Sequence, residues 1–432
     1  MGCSSPARRG ARGKRLTRRT LEVACVAVAV AAASADSSVV ALALPQLYGD
    51  FQTTIVGVSW VLTAYNAAVA ATAIALLAAR RAVPRRVYPL GVGLFLLASG
   101  TCAAAGHLPV LIVARCAQGI GAALLLAGAF RLIGPRTWSF AAGLGVAAGP
   151  AAGGVLTQAF DWRAIFVLQV PVAALGLLAA RSHRETTEAP SPRTEALPDV
   201  AVGLLFGALV GALFLAVLLL VAGWRYSPIH GAAVVSVLPL SGLLMRRRNA
   251  VAGGALLALG LLALALLPTG NVIFPVCALA LCGAGLGLAL PELSERALRG
   301  GAVATVAARH LGLVASLALV APILAHALPP AGRHAELQAT KLILDAPVGL
   351  ATKVPVALDL GSAFQRAQTG EVPDLQAPFD AHGARHDPDL ARVRDQLSGA
   401  VDRTVAGAFR TSFALCAAFA AAAALIARRL VP

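Results

Sequence analysis

Two charged side chains, Asp36 and Arg115, lie inside apolar stretches of this sequence and are the residues best placed to do chemistry. Asp36 belongs to the run 27–47, which is otherwise built mainly from Ala, Val, Leu and Ser, and residues 51–160 contain neither Asp nor Glu. An ionisable group inside an apolar span is energetically expensive, and such groups usually mark an ion or substrate path. We therefore predict that Asp36 binds a proton or a cation.

The depths of the two side chains allow them to meet. Asp36 is eleven residues from the end of its run, and Arg115 is seven residues from position 108, where its own apolar run begins. At 1.5 Å per residue, these separations are roughly 16 and 10 Å along a helix. Two interpretations stay open: a structural ion pair that neutralises two buried charges, or a titrating pair that loads and releases a proton.

The composition of the whole chain indicates an integral membrane protein. Hydrophobic residues make up 58% of the chain, charged residues make up only 13%, and the mean hydropathy is +0.78. Recurring runs of about twenty apolar residues are long enough to cross a hydrocarbon core about 30 Å thick, where the backbone must be helical. The net charge of +16 comes from short basic clusters between these runs, which indicates membrane topology rather than nucleic-acid binding.

We predict an all-α integral membrane protein of about twelve transmembrane helices. The candidate spans are 21–47, 57–79, 87–106, 108–132, 139–159, 163–180, 199–222, 228–245, 250–267, 272–291, 301–328 and 405–427. Lys and Arg concentrate in the connections on one side, whereas only Arg163 and Arg225 lie in the short connections on the other. By the positive-inside rule, both termini are cytoplasmic and the chain is a multi-pass protein of the plasma or inner membrane.

These spans divide into two six-helix bundles. The predicted segments are a basic cytoplasmic tail (1–20), an N-terminal six-helix bundle (21–181), a cytoplasmic linker (182–198), the first five helices of the C-terminal bundle (199–328), an extracytoplasmic loop (329–404), and the last helix with a short basic tail (405–432). The linker contains three prolines and no apolar helical face. We expect the basic tail to remain attached and to contact anionic lipid of the bilayer.

The long loop 329–404 contains one clear helix signal. Asp387-Pro388 is typical of a helix start, and the residues after it form one apolar stripe: Leu390, Val393, Leu397, Val401 and Val405. His382 and His386 have the spacing of a metal-binding pair on a helix, with Asp380 and Asp387 beside them. A chance arrangement in a polar loop is the favoured interpretation, so we predict neither a metal nor a cofactor.

Small residues and a proline interrupt the predicted span 139–159 at regular intervals. They are Gly145, Gly149, Pro150, Gly153 and Gly154. Glycines four residues apart let two helices approach closely, and a proline loosens the backbone hydrogen bonding of its helix. Ordinary helix packing and a functional hinge are both compatible with this pattern.

These segments resemble motifs of the major facilitator superfamily. Residues 145–154 resemble its antiporter motif, and residues 115–121 resemble its span-four Arg-x-x-Gln-Gly motif. Residues 35–45 (ADSSVVALALP) resemble the span-one signature of the EmrB/QacA branch of drug:proton antiporters. Further segments resemble that branch in order: Trp60 with Tyr65, 161–171, 226–239, 283–287 and 309–312. The resemblance covers most of residues 21–328.

The resemblance implies a function and a role for each matching residue. Asp36 would be the proton- or cation-coupling residue and Arg115 its modulating partner, while the Gly149-Pro150 region would be the seal or hinge. Tyr65, Asn66 and Gln118 would face the substrate cavity. The implied protein is a carrier, not an enzyme, and a monomer. It would use protons to export amphipathic small molecules such as drugs or antibiotics, cationic compounds among them.

The chain departs from that branch in three places. The branch usually has fourteen spans, and the connection 134–138 is unusually short. The loop between spans two and three keeps basic residues, Arg80, Arg81, Arg85 and Arg86, but lacks the acid and the glycines of the family pattern. The missing acid leaves a second function open, a degenerate carrier that does not transport or a membrane sensor using residues 329–404.

Overall fold

The computed structural model describes residues 6–79, 86–179, 196–267, 271–366, 375–384 and 387–430. Throughout this part of the chain the regular structure is helical and includes no strand, which confirms the all-α prediction. Three features predicted above lie outside the described residues: Arg80, Arg81 and Arg85 of the basic loop, most of the linker 182–198, and His386.

The N-terminal half contains six helices. They are α1 (Pro6–Ala41), α2 (Leu44–Asp50), α3 (Ile55–Ala78), α4 (Val87–Ala103), α5 (Leu108–Ala159) and α6 (Arg163–Ala179). The predicted span 21–47 is wrong at its end, because α1 stops at Ala41 and α2 begins at Leu44. Pro45 explains the break, since it lacks an N–H donor and is tolerated in the first turn of a new helix.

Predicted spans four and five form a single helical element, α5, with a sharp kink. Gly134 adopts φ +72° and ψ 168°, which interrupts the helix, and Pro135 follows directly. Glycine reaches positive φ without steric penalty, and proline suits the first turn of the next segment. The short connection 134–138 is therefore a kink of a few residues rather than a loop.

The C-terminal half contains the remaining helices. They are α7 (Leu197–Val217), α8 (Pro228–Leu243), α9 (Ala250–Ala265), α10 (Ile273–Arg299), α11 (Ala302–Asp345), α12 (Leu350–Arg366), α13 (Gln376–Ala381), α14 (Pro388–Ala408) and α15 (Arg410–Arg429). A π-helical turn, Leu218–Gly223, extends α7. The sequence pattern did not predict this turn.

The segment predicted as an outer loop, 329–404, is largely helical where it is described. Helix α11 continues through Pro329 and Pro330 to Asp345, beyond residue 328 where the predicted span ends, and the end of the membrane crossing stays a prediction. The predicted helix after Asp387 is confirmed: the Asp387 carboxylate accepts hydrogen bonds from the N–H groups of Asp389 and Leu390, and the predicted apolar stripe is buried. Helices α14 and α15 are separated by Phe409.

Seven helices in the described residues are long and apolar enough to cross a membrane, and four more are apolar but shorter. One of the seven, α5, covers two predicted spans. All the predicted spans coincide with apolar helices, although the count of twelve membrane crossings stays a prediction. The two halves are joined where α11 packs against α3 and where α8 packs against α5.

Candidate transport site

Asp36 and Arg115 form a bidentate ion pair in the interior. The Nη1 atom of Arg115 lies 2.8 Å from Oδ1 of Asp36, and Nη2 lies 2.5 Å from Oδ2. Both side chains have 0% exposure. Two parallel charge-assisted hydrogen bonds fix the orientation of both groups, so this pair is geometrically specific as well as strong. The depths of Asp36 and Arg115 along their helices allowed contact between them, and the structure shows that contact. Their role in proton coupling stays a prediction.

The Arg115 guanidinium is held on its other sides by α3 and α6. Its Nε atom donates to the carbonyl oxygen of Val61 at 2.9 Å. The guanidinium carbon lies 4.3 Å from the ring centroid of Tyr65 and 5.6 Å from that of Phe166. Aromatic faces attract a desolvated cation, so these contacts add to the stabilisation that Asp36 supplies.

A ring of side-chain hydrogen bonds closes around the ion pair. Gln169 Nε2 donates to Asp36 Oδ1 at 2.9 Å, and Arg115 Nη1 donates to Gln118 Oε1 at 2.6 Å. Gln118 Nε2 completes the ring by donating to Gln169 Oε1 at 2.7 Å, and it also lies 2.8 Å from Ser99 Oγ. The buried network therefore includes α1, α4, α5 and α6, and its members constrain one another.

Gln169 and Ser99 belong to the site although the sequence analysis did not select them. Gln169 is an amide within the apolar run 163–180, and that isolation was a usable signal. Ser99 gives a weaker signal, because a serine in a membrane helix often bonds its own backbone. Its hydroxyl does donate to the carbonyl oxygen of Phe95 at 2.7 Å.

Tyr65 and Asn66, predicted to face a cavity, are fully buried between the two halves. The Tyr65 hydroxyl donates to the carbonyl oxygen of Ala33 at 2.8 Å. Asn66 Nδ2 donates to Ser37 Oγ at 3.0 Å, and Asn66 Oδ1 lies 2.7 Å from His310 Nδ1 on α11. The Asn66–His310 contact is thus a hydrogen bond between the halves, close to the ion pair.

The glycines of α5 set the position of α1 and therefore of Asp36. A Cβ atom on Gly145 would collide with the backbone of Ala31, and one on Gly149 would collide with Ser38. Only glycine permits this approach, so any larger side chain would push α1 and its carboxylate away from Arg115.

The same segment of α5 also reaches the other half. Gly153 faces the backbone of Val39, whereas Gly154 faces Ala232 on α8. Pro150 is buried between these contacts. The segment is therefore a packing surface for α1 and α8 together, while its action as a hinge stays a prediction.

The ion pair, Gln118, Tyr65 and Asn66 all have 0% exposure, so the site is occluded in this structure. Arg86, the described member of the basic loop, is exposed at the start of α4 and lies apart from the site. Among the described residues no group of three or more His, Cys, Asp or Glu is arranged to hold a metal ion.

Residues 26–321 match the family model described as Major Facilitator Superfamily. The chain belongs to the major facilitator superfamily. It is therefore a multi-pass membrane protein of a carrier family, and the predicted resemblance at the family level is confirmed.

Several curated relatives carry names of resistance proteins. The chain is 29% identical over 252 residues to the methylenomycin A resistance protein of Streptomyces coelicolor, covering 55% of this chain and 52% of that protein. It is 35% identical over 202 residues to the multidrug resistance protein Stp of Mycobacterium tuberculosis, covering 42% of this chain and 36% of Stp. The matched region thus spans about half, or less, of these relatives.

Solved transporter structures share the fold. A bacterial homologue of the human lysosomal transporter Spinster aligns with a TM-score of 0.56 at 14% identity, covering 95% of this chain and 98% of that one. A D-xylose–proton symporter aligns with a TM-score of 0.54 at 15% identity, covering 69% and 88%. At these identities the likeness establishes the fold and says nothing about the substrate.

Proposed function

We propose that this protein is a proton-coupled antiporter that exports amphipathic small molecules, such as drugs or antibiotics, across the plasma membrane. The observation that carries the proposal is the fully buried Asp36–Arg115 pair inside a closed hydrogen-bond ring. The names of the resistance proteins that it resembles support export of this class of compound. In this proposal the protein acts as a monomer with both termini in the cytoplasm.

The coupling follows from the two protonation states of Asp36. As a carboxylate, Asp36 accepts two hydrogen bonds from Arg115 and one from Gln169. Protonation removes its charge and one acceptor position, so the bidentate pair cannot persist. Arg115 then keeps the carbonyl of Val61 and the amide of Gln118 as partners. The site thus has two discrete arrangements, which is what a switch between inward and outward access requires.

The glycines of α5 link the change at the Asp36–Arg115 pair to movement between the N-terminal and C-terminal halves. Helix α1 lies directly against Gly145 and Gly149 of α5. When the Asp36–Arg115 pair breaks, α1 therefore slides along this surface of α5. Gly154 transmits such a movement to α8 in the other half. We assign the Gly149-Pro150 region the role of a seal or hinge on this basis. Inward proton flow supplies roughly 2.3 kcal/mol per charge per 100 mV of membrane potential.

Asp36→Asn tests the proposal because it keeps the size of the side chain and removes its charge. In inverted membrane vesicles energised by a proton gradient, wild type should accumulate candidate drugs, and Asp36→Asn should show no gradient-dependent accumulation. Asp161→Asn is the matched control, because its carboxylate is half exposed and pairs with Arg163 at 3.7 Å outside the site. Equal gradient-driven accumulation by wild type and Asp36→Asn would refute proton coupling through this residue.

The same vesicles separate the antiporter from a degenerate carrier or a sensor using residues 329–404. A sensor predicts that substrates cause no proton flux in wild-type vesicles, whereas an antiporter predicts proton efflux from the vesicle lumen with each active compound. The missing acid of the basic loop motivates this comparison. The buried Asp36–Arg115 pair itself favours the antiporter, because apolar side chains of similar size at these positions would often be as stable or more stable, so a protein without transport gains nothing from keeping the two charges.

A further inference from the structure

A second arginine, Arg309 on α11, is buried without a carboxylate partner. Its residue exposure is 8%, and within the described residues no carboxylate oxygen lies within 4.0 Å of its nitrogens. Nη2 makes one long hydrogen bond, 3.4 Å, to the carbonyl oxygen of Ser34. The guanidinium carbon lies 4.1 Å from the ring centroid of Phe206, and Nε has no acceptor. A buried cation with so few partners is costly unless something else neutralises it.

Ser34 adds a second unsatisfied donor at the same place. Its hydroxyl is buried and has no hydrogen-bond partner, although its carbonyl oxygen accepts from Arg309. Buried polar groups in native proteins are nearly always paired, so two neighbouring exceptions call for an explanation. The Nε–H group of Arg309 can only donate, and the Ser34 hydroxyl can donate as well as accept, so one acceptor, most naturally an anion, would satisfy both.

The location of these donors fits a transported molecule rather than a structural ion. Ser34 lies on α1, two residues from Asp36, while Arg309 lies on α11 beside His310, which contacts Asn66. Phe206 lies on α7. The three helices come from both halves, and their junction is the region that must open in alternating access. Phe206 also provides an apolar wall beside the guanidinium.

The charges of the surroundings favour an anion. Asp36 and Arg115 neutralise each other, so Arg309 leaves an uncompensated positive charge in this part of the core. The carboxylate of Asp199, near the start of α7, accepts a hydrogen bond from Thr305 at 3.1 Å. Thr305 lies one helical turn before Arg309, but the Asp199 carboxylate is more than 4.0 Å from the Arg309 guanidinium nitrogens. The positive charge therefore remains available to a ligand.

We propose that Arg309 and Ser34 bind the anionic group of the exported molecule, so that the substrates are amphipathic carboxylates or sulfonates rather than cations. This proposal rests on the function proposed above and specifies its substrate class. The planar guanidinium presents several donors to such a group, and the Ser34 hydroxyl adds another. An inside-negative potential then favours both movements of the cycle, proton entry and anion exit.

Binding to the purified full chain in a neutral detergent tests the proposal without requiring transport. The probes are matched pairs of an aryl-butyric acid and its amide with phenyl, naphthyl or anthracenyl bodies, which differ in charge but hardly in size. A ligand that binds the folded state raises the melting temperature in a saturable way. Wild type should bind at least one acid more tightly than its amide.

The variants assign that preference to Arg309 and Ser34. Arg309→Gln should weaken binding of the acid about 10- to 100-fold and leave the amide unchanged, because a hydrogen bond to a charged group is lost. Ser34→Ala should weaken the acid about 2- to 10-fold. Arg309→Lys keeps the charge and should lie between wild type and Arg309→Gln, and it carries the test if Arg309→Gln fails to fold. Arg299→Gln removes an arginine that is 76% exposed and should change nothing.

Failure of this proposal is distinguishable from failure of proton-driven export. If no acid binds to wild type more tightly than its amide, or if Arg309→Gln and Arg309→Lys keep the wild-type preference, the anion site is refuted even if vesicles export other compounds. If the acid preference depends on Arg309 but no compound moves protons in vesicles, the anion site stands and the antiport function fails.

Discussion

The two halves of this carrier each bury an arginine, and the two arginines have opposite surroundings. Arg115 in the N-terminal half has a carboxylate, an amide, a backbone carbonyl and two aromatic rings as partners. Arg309 in the C-terminal half has one long hydrogen bond and one aromatic ring. Both side chains are buried, with 0% and 8% exposure, so the difference does not come from burial.

This difference separates coupling from recognition. A charge that is fully partnered inside the protein can switch only when one of its own partners changes protonation, as Asp36 can. A charge left without a partner is poised for a ligand that carries the opposite charge. In our account, the N-terminal half therefore carries the proton-coupling pair, and the C-terminal half contributes the principal group that recognises the substrate.

The largest expected effect comes from removing each arginine in turn. Arg115→Gln leaves the Asp36 carboxylate buried without its cation, so we expect a loss of about 3–5 kcal/mol in the free energy of unfolding. Arg309→Gln removes an unpaired buried charge, so we expect the free energy of unfolding to stay the same or rise. Melting temperatures of the two purified variants in the same detergent make the comparison. Equal losses in both variants would contradict the contrast between the halves.

A smaller effect should come from Gln169, which supports Asp36 without contacting Arg115. Gln169→Leu removes the donor to Asp36 and leaves Gln118 Nε2 without one acceptor, so we expect a loss of about 1–3 kcal/mol in stability. Proton-driven export should fall while binding of the aryl acids at Arg309 stays unchanged. The matched control is Gln46→Leu, because within the described part of the chain the Gln46 amide donates only to the carbonyl oxygen of Thr157, at 2.9 Å. Loss of acid binding in Gln169→Leu would show that the two sites are not separate.

The smallest expected effect involves Asp402 on α14, an acid of the C-terminal half outside the predicted membrane spans. Burial raises its pKa to about 6, and nearby Arg403 lowers it less. Because the folded state holds this proton more tightly than the unfolded chain, stability should fall as the pH rises from about 4 to about 6. Asp402→Asn should remove this part of the pH dependence and raise the melting temperature above pH 6.

The control for that measurement is Asp395→Asn on the same helix, since the Asp395 side chain is 70% exposed. Melting curves of both variants and wild type between pH 4.5 and 7.5 decide the outcome. If the stability of Asp402→Asn has the same pH dependence as that of wild type, the pKa of Asp402 is not raised in the folded protein.

The sequence was sufficient to predict the ion pair, because a carboxylate is rare in an apolar run and helix rise gives its depth. It was insufficient for Gln169, since an amide in a membrane helix has many local partners and only the packing of α6 against α1 selects one. Arg309 belongs to the motif 309–312, but the sequence does not show that its guanidinium lacks a carboxylate partner, because that depends on how the helices pack.

Within the segment 329–404, the sequence predicted helix α14 but did not predict the extension of α11. The stripe from Leu390 to Val405 marks a helix that packs on one face, and this periodicity is local. The predicted span ends at residue 328, but α11 continues through Pro329 and Pro330 to Asp345. Its face at Ala335, Ala339 and Ile343 is buried. Tertiary packing thus outweighs the loss of two backbone hydrogen bonds.

The most direct test of the central claim measures protons released when a substrate identified in the vesicle assay binds to the purified protein. In weakly buffered detergent solution with a pH-sensitive dye, wild type brought to an acidic pH at which Asp36 is protonated should release protons on binding, because in the proposed cycle the substrate-bound state has the carboxylate form of Asp36 paired with Arg115. Asp36→Asn should bind the same compound without releasing protons. Equal proton release by Asp36→Asn would contradict the account.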